Sequence, residues 1–240
     1  MQLTIYKDYE ELSLQAARKI TATVKNNPAA VLCLATGDTP RLTYKLMVQT
    51  ALEEKIDFSH CSFIALDEWV NISPESEGSC HHFLHTNIFK PLQILHSNTH
   101  LFNPLSNNLE NECIKMDALI QDKGGIDLML VGVGMNGHIG FNEPGVSIDN
   151  YTHVVDLDET TQKVGQKYFD QATELKQGIT LGLKHFLHSK KAIMMASGVK
   201  KAHVIMQALK EEITTNMPAS IIRMHPNGEV MIDKDAASLL

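Results

Sequence analysis

No apolar run in these 240 residues approaches the roughly 20 that a membrane helix needs, and the opening MQLTIYKDYEEL lacks the apolar stretch of a secretion signal. Neither a membrane-spanning nor an exported protein is expected. Positive charge is scarce too. The 21 Lys and Arg against 28 Asp and Glu give a net charge of -7 and an isoelectric point near 5.9, which argues against a general affinity for nucleic acid. A small anion is not excluded, because a few local groups suffice to hold one phosphate. Cysteine is sparse: Cys33, Cys61, Cys80 and Cys113 lie far apart without a C-x-x-C pair. Cys33 and Cys61 sit in or beside apolar runs, where a buried thiol is the ordinary outcome. Without a secretion signal no disulfide is expected, and the compartment read from this is the cytoplasm. Also missing are a Ser-, Pro- or Gly-rich linker, a low-complexity tract and an internal repeat. One domain spanning residues 1–240 is the economical reading.

What is present alternates. Residues 8–25 place Leu12, Ala16, Ile20 and Val24 at four-residue spacing, a helical stripe. AAVLCLA (29–35) is a continuous apolar run of the kind that fills a strand buried on both faces. Thr39 and Pro40 then read as a helix start, with Pro at the first helical position. SFIAL (62–66) and IDLMLVGVG (126–134) read as further strands, followed by HVVDL (153–157), AIMMAS (192–197) and EVMI (229–232). Repeated strand–helix alternation predicts an α/β fold, a mostly parallel sheet with helices on both faces. Ligands in such sheets bind beyond the carboxyl ends of the strands, so ATGDTP, DEW and GVGMNGH should converge.

ATGDTP (35–40) follows a strand and opens a helix. Gly37 permits a tight turn, Thr36 and Thr39 offer hydroxyls, and the helix start presents free N–H groups, a combination that suits a phosphate. A plain capped turn would look the same. Asp38 would repel an anion, so its side chain is expected to point away or cap the helix. In LDEWV (66–70) adjacent carboxylates on an extended chain face opposite ways, and Asp67 is the one expected to enter the cleft, as a general base if burial raises its pKa. A solvated strand end is the bland alternative.

GVGMNGHIGFNEPG (132–145) carries Gly132, Gly134 and Gly137 at G-x-G-x-x-G spacing after a strand. A dinucleotide site requires a helix there, yet Gly140, Pro144 and Gly145 follow at once, so that reading fails even with Asp156 near the expected acidic position. What remains is a compact loop gathering Asn136, His138, Asn142 and Glu143, with His138 a base oriented by its carboxylate neighbour. His81, His82 and His85 have metal-like spacing, but no Glu completes an H-E-x-x-H pattern, and a solvated helix face is the reading. Met194, Met195 and Met206 read as core.

LATGDTPRLTY, FIALDEWVNI, DLMLVGVGMNGHIGFNEPG, GITLGLKHFL, SGVKKA and MPASIIRMHPN follow one another in an order that resembles the glucosamine-6-phosphate deaminase and galactosamine-6-phosphate isomerase family over nearly the whole chain. The wording of LATG, LDEWV, the GSC before HHFL, and NGH with Asn136 looks closest to the galactosamine-6-phosphate branch. The resemblance implies a modified Rossmann-like sheet and a cofactor-free isomerisation with deamination of a hexosamine 6-phosphate. It implies that His138 assists ring opening, supported by Glu143 and Asn136, and that Asp67 moves a proton from C2 to C1. Thr36, Gly37 and Thr39 would hold the 6-phosphate with Lys201, and Lys167 stands where relatives often carry Arg.

Two departures matter. Asn136 replaces an Asp of many glucosamine-type members and cannot stabilise an imidazolium by charge, and Lys167 forgoes bidentate phosphate recognition. Allosteric regulation of the kind known in hexameric relatives therefore does not carry over automatically, and homo-oligomer formation stays open. Partners other than the substrate, nucleic acid and membrane included, are not expected, and neither is a metal. A sugar-phosphate sensor would need a DNA-binding segment, for which neither terminus is expected to have room. A 6-phosphogluconolactonase-like hydrolase shares the fold and the His-bearing loop, but LDEWV and NEPG favour the deaminase side.

Overall fold

The structure, a computed structural model, describes residues 1–240. An edge strand β1 (Gln2–Tyr6) leads into α1 (Tyr9–Asn26), whose start is capped by Asp8 accepting from the Glu11 N–H at 2.9 Å. The stripe of Leu12, Ala16, Ile20 and Val24 is buried along α1. Then come β2 (Val31–Leu34), α2 (Asp38–Glu53), β3 (Ser62–Ile64) and β4 (Asp67–Trp69). A short helix α3 (Cys80–Leu84) continues as a wider π turn over His85–Phe89. The chain goes on through β5 (Thr99–His100), α4 (Leu109–Asp122), β6 (Leu128–Val131), β7 (His153–Asp156) and α5 (Glu159–Gly165). It ends with β8 (Gln177–Thr180), α6 (Leu183–His188), β9 (Ala192–Ala196), α7 (Ala202–Lys210) and β10 (Gly228–Asp233).

Seven strands form one parallel sheet in the order β1-β10-β9-β6-β2-β3-β5. Successive side chains on each central strand go to opposite faces, and two cores follow from that period of two. Leu32, Leu34, Leu128, Leu130, Ile193 and Met195 pack with Leu12, Ile20 and Met47 of α1 and α2. Cys33, Met129, Val131 and Met194 pack with Met116, Ile120, Val204 and Ile205 of α4 and α7. Helices thus cover both faces of a single-domain α/β fold. None of them is long and apolar enough to cross a membrane.

The structure corrects the sequence reading at several places. HVVDL is not in the main sheet: β7 pairs antiparallel with β8, and β8 with β4, as a separate three-stranded sheet. Asp67 does not end SFIAL but begins β4, after β3 has stopped at Ile64. Pro40 is the third residue of α2, not the first. Met194 and Met195 are fully buried, whereas Met206 lies half-exposed on α7.

The strand order reverses at β2 and β6. From β2 the chain moves outward to β3, and from β6 it moves the other way to β9, so the loops leaving β2 and β6 diverge over a crevice at their carboxyl ends. The small sheet stands against this crevice, with Trp69 and Phe141 in contact at 4.5 Å between ring centroids.

Candidate active site

The crevice is a cleft of about 520 Å³ lined by all three predicted segments. One wall is the turn between β2 and α2. Gly37 adopts φ 97°, open to glycine at little cost, and an added Cβ would come 3.0 Å from the Tyr168 hydroxyl. No side chain caps the start of α2, so its first N–H groups stay available to an anion. Asp38 does not cap the helix or leave the cleft. Its carboxylate takes Lys167 Nζ at 2.7 Å and stands 3.6 Å from the Arg41 guanidinium. Burial would depress Lys167, but the hydrogen bond it donates to Asp38, with the nearby Tyr168, outweighs this and leaves the amine's pKa raised.

Lys201 behaves differently. Its amine donates to the Val133 carbonyl and has no carboxylate partner. Burial, with a smaller contribution from the Lys167 charge, lowers it to about 8. A buried cation in that state gains from any anion brought beside it. Thr36, Gly37, Thr39, Lys167 and Lys201 all line the same cleft.

Asp67, 8% exposed, also lines the cleft, and its neighbour turns away as the alternation of a strand demands. Burial pushes the Asp67 carboxyl up to about 7, against a hydrogen bond from the Cys80 thiol and with help from the Glu68 charge. Glu68 is fully buried for another purpose. It accepts the N–H groups of Trp69 at 2.9 Å, Cys80 at 3.0 Å and His81 at 2.8 Å, tying β4 to the first turn of α3.

The loop after β6 holds His138. An added Cβ on Gly134 would fall 2.4 Å from its Nε2, so this glycine makes room for the imidazole and not for a dinucleotide. Nδ1 lies 3.0 Å from the Thr161 hydroxyl and 3.4 Å from Glu143 Oε2. Asn136 donates to Glu143 Oε2 at 2.8 Å and accepts the His138 N–H at 3.3 Å. Burial raises Glu143, but the hydrogen bond and charge of His138 prevail and its pKa is lowered, so the carboxylate stays ionised beside the ring. Asn136, His138 and Glu143 form one connected unit, as expected. Asn142 does not join it: its amide donates to the carbonyls of Ile139 and Leu181, fastening the loop to β8.

Of the three histidines His81, His82 and His85, only His85 is exposed as a solvated face would be. His81 is half-buried, its Nε2 2.8 Å from the Phe102 carbonyl, and only His82 reaches the cleft. Asp156 is exposed and bonded to Gln177. The sequence reading missed Thr161, Arg41, Tyr168 and Cys80. Thr161 and Tyr168 come from elements whose approach to the cleft depends on tertiary packing, whereas Arg41 and Cys80 lie inside the LATGDTPRLTY and GSC segments without a pattern that marks them as cleft residues.

An ionisable carboxyl, an imidazole held by a carboxylate, and amines at an uncapped helix start stand together on a doubly wound sheet, the class of arrangement chemically suited to proton transfer on a small anion. The comparisons with known proteins make this specific. Residues 7–232 match the family described as "Glucosamine-6-phosphate isomerases/6-phosphogluconolactonase", and the chain belongs to that family. It is 42% identical, over the full length of both, to a glucosamine-6-phosphate deaminase of Clostridium perfringens. It is 41% identical to that of Thermoanaerobacter pseudethanolicus, across 100% of this chain and 95% of the relative. A solved structure described as a monomeric glucosamine-6-phosphate deaminase superposes with TM-score 0.97 at 36% identity, covering 100% of both chains. The 6-phosphogluconolactonase of Trypanosoma brucei shares the fold, with TM-score 0.79 at 18% identity, over 100% of this chain and 98% of that one.

Proposed function

We propose that the protein converts glucosamine 6-phosphate and water to fructose 6-phosphate and ammonia. The observation that carries this is Asp67, a buried carboxyl poised at about 7 in a cleft that also holds a carboxylate-supported imidazole and an unpaired lysine. A base near neutrality is what removal of a proton next to a carbonyl requires.

The 6-phosphate docks on the N–H groups of α2 with Thr36 and Thr39, and its charge compensates Lys201 and competes with Asp38 for Lys167. His138 accepts the proton of the anomeric hydroxyl and returns one to the ring oxygen, opening the sugar. Glu143 stabilises the transient imidazolium, and Thr161 and Asn136 fix the ring and the carboxylate. Asp67 then takes the C2 hydrogen, which the C1 aldehyde acidifies, and delivers it to C1 through an enolamine. The resulting imine at C2 adds water and expels ammonia. Each step is a proton transfer, an addition of water, or a C–O or C–N cleavage assisted by one, so the scheme needs acid–base groups and water but no redox or group-carrying cofactor.

The sequence wording leaned towards the galactosamine epimer, which would give tagatose 6-phosphate. The full-length relatives named above favour glucosamine 6-phosphate instead. The two substrates differ only at C4, remote from Asp67 chemistry at C1 and C2, so both should react, with the misfit at C4 costing about 1–3 kcal/mol. Ammonia release from each epimer, run beside hydrolysis of 6-phosphogluconolactone, tests the assignment. A higher kcat/KM for glucosamine 6-phosphate is expected. Preference for the other epimer would overturn the substrate, and lactone hydrolysis without ammonia release would overturn the reaction.

A further inference from the structure

One buried thiol in the cleft takes no part in the reaction written above. Cys80, the first residue of α3, is 4% exposed and lines the cleft. Its N–H donates to Glu68 Oε1, so the carboxylate next to Asp67 in sequence pins the backbone of Cys80 in place. Its Sγ lies 3.4 Å from Asp67 Oδ1 and 3.2 Å from Thr36 Oγ1, forming a chain in which the Thr36 hydroxyl donates to sulfur and the thiol donates to the carboxyl. No donor reaches Oδ2, which faces Gly140, where an added Cβ would stand 3.4 Å away. Burial, with the Glu68 and Asp67 charges, raises the Cys80 thiol well above its ordinary value. It therefore keeps its proton and serves as a donor, not a nucleophile.

We propose that Cys80 is a positioning residue for Asp67: its thiol, oriented by Thr36, holds Oδ1 and leaves Oδ2 as the oxygen that meets the substrate's C2 hydrogen. The inference rests on Asp67 being the base of the proposed reaction. A thiol is a weak donor, so it orients the carboxyl while leaving it basic. A hydroxyl at the same place would stabilise the carboxylate more strongly, and a methyl group would leave Oδ1 bare and the carboxyl free to rotate.

The test compares Cys80→Ser and Cys80→Ala with the unmodified protein. The ionisation of Asp67 is followed by carboxyl carbon NMR in the intact protein, and the acid limb of kcat/KM is followed by ammonia release. Cys80→Ser should move the ionisation down by about one pH unit and Cys80→Ala should move it up by about as much. Cys80→Ala should also lower kcat while leaving KM nearly unchanged. Thr36→Val, which frees the thiol from its partner, should move the ionisation upward by less, and it serves if a Cys80 variant does not fold. An ionisation that stays put, or that moves the same way in the Ser and Ala variants, overturns the proposal. The NMR titration needs no turnover. A protein that released no ammonia would refute the proposed reaction and still report whether Cys80 governs Asp67.

Discussion

Replacing Asp67 with Asn should stabilise the protein while it abolishes turnover, and the gain should depend on pH. The carboxyl's value is 3.8 in a solvated chain and about 7 in the fold, because burial disfavours the charged form. A group raised in this way leaves the fold at full strength below pH 4, and stability is then lost as the pH rises through about 7. Integrated over that window, the stability lost because the unfolded chain ionises this carboxyl and the fold resists doing so reaches about 1.5 kcal/mol at pH 5 and about 4 kcal/mol at pH 8. Asn has nearly the same shape, keeps an oxygen for the Cys80 thiol and carries no charge. Asp67→Asn should therefore exceed the unmodified protein in stability by about 2.5 kcal/mol more at pH 8 than at pH 5. Urea denaturation at unit steps of pH, extrapolated linearly to water, reads this difference directly. A difference that does not change with pH, or one that favours Asp67 at pH 8, would refute the argument that this carboxyl is held at high energy for use as a base.

Further outcomes follow from the same geometry. His138→Gln should be impaired with the cyclic sugar phosphate by at least about 100-fold yet relatively spared with an analogue held open-chain; equal losses in the two assays would remove ring opening from the role of His138. Lys201→Ala should weaken binding of sugar 6-phosphates by about 1.5–3 kcal/mol and scarcely alter binding of the unphosphorylated sugar, as calorimetry would show. Unchanged affinity for the phosphorylated sugar would place the phosphate elsewhere. Gly134→Ala should lower kcat by displacing the imidazole, since the new Cβ would fall 2.4 Å from Nε2; a variant with normal turnover would show that the ring position is not critical.

The layers of this fold were legible wherever burial imposed a period. The four-residue stripe from Leu12 to Val24 is the buried face of α1, and the unbroken apolar run around Val31–Leu34 is a strand covered on both sides. Parallel strands also carry the rule that loops meet at their carboxyl ends, and that rule alone brings Thr36, Asp67 and His138 together from the sequence. The small antiparallel sheet was not legible. Its strands are three or four residues long, and β7 is mostly half-exposed, so neither length nor alternation marks them. Strand β1 escaped notice for a related reason: it lies at the sheet edge with Leu3 and Ile5 exposed. Among polar residues, sequence density on the glycine-rich loop pointed to Asn136, His138, Asn142 and Glu143 together, and it could not distinguish Asn142, whose amide is consumed by two backbone carbonyls. Thr161 and Cys80 reach His138 and Asp67 from α5 and α3, and nothing local encodes that approach.

The central claim is that Asp67 carries hydrogen from C2 to C1, and solvent deuterium tests it most directly. The reaction is run in heavy water with glucosamine 6-phosphate, and the ketose phosphate is examined at C1 by NMR. A carboxyl that holds the abstracted proton while exchanging with solvent predicts deuterium at C1 in the product of the unmodified protein. It predicts neither product nor exchange at C2 of the remaining substrate with Asp67→Asn. Deuterium entering C1 or C2 at an undiminished rate in that variant would contradict the account, because some other group would then be moving the proton.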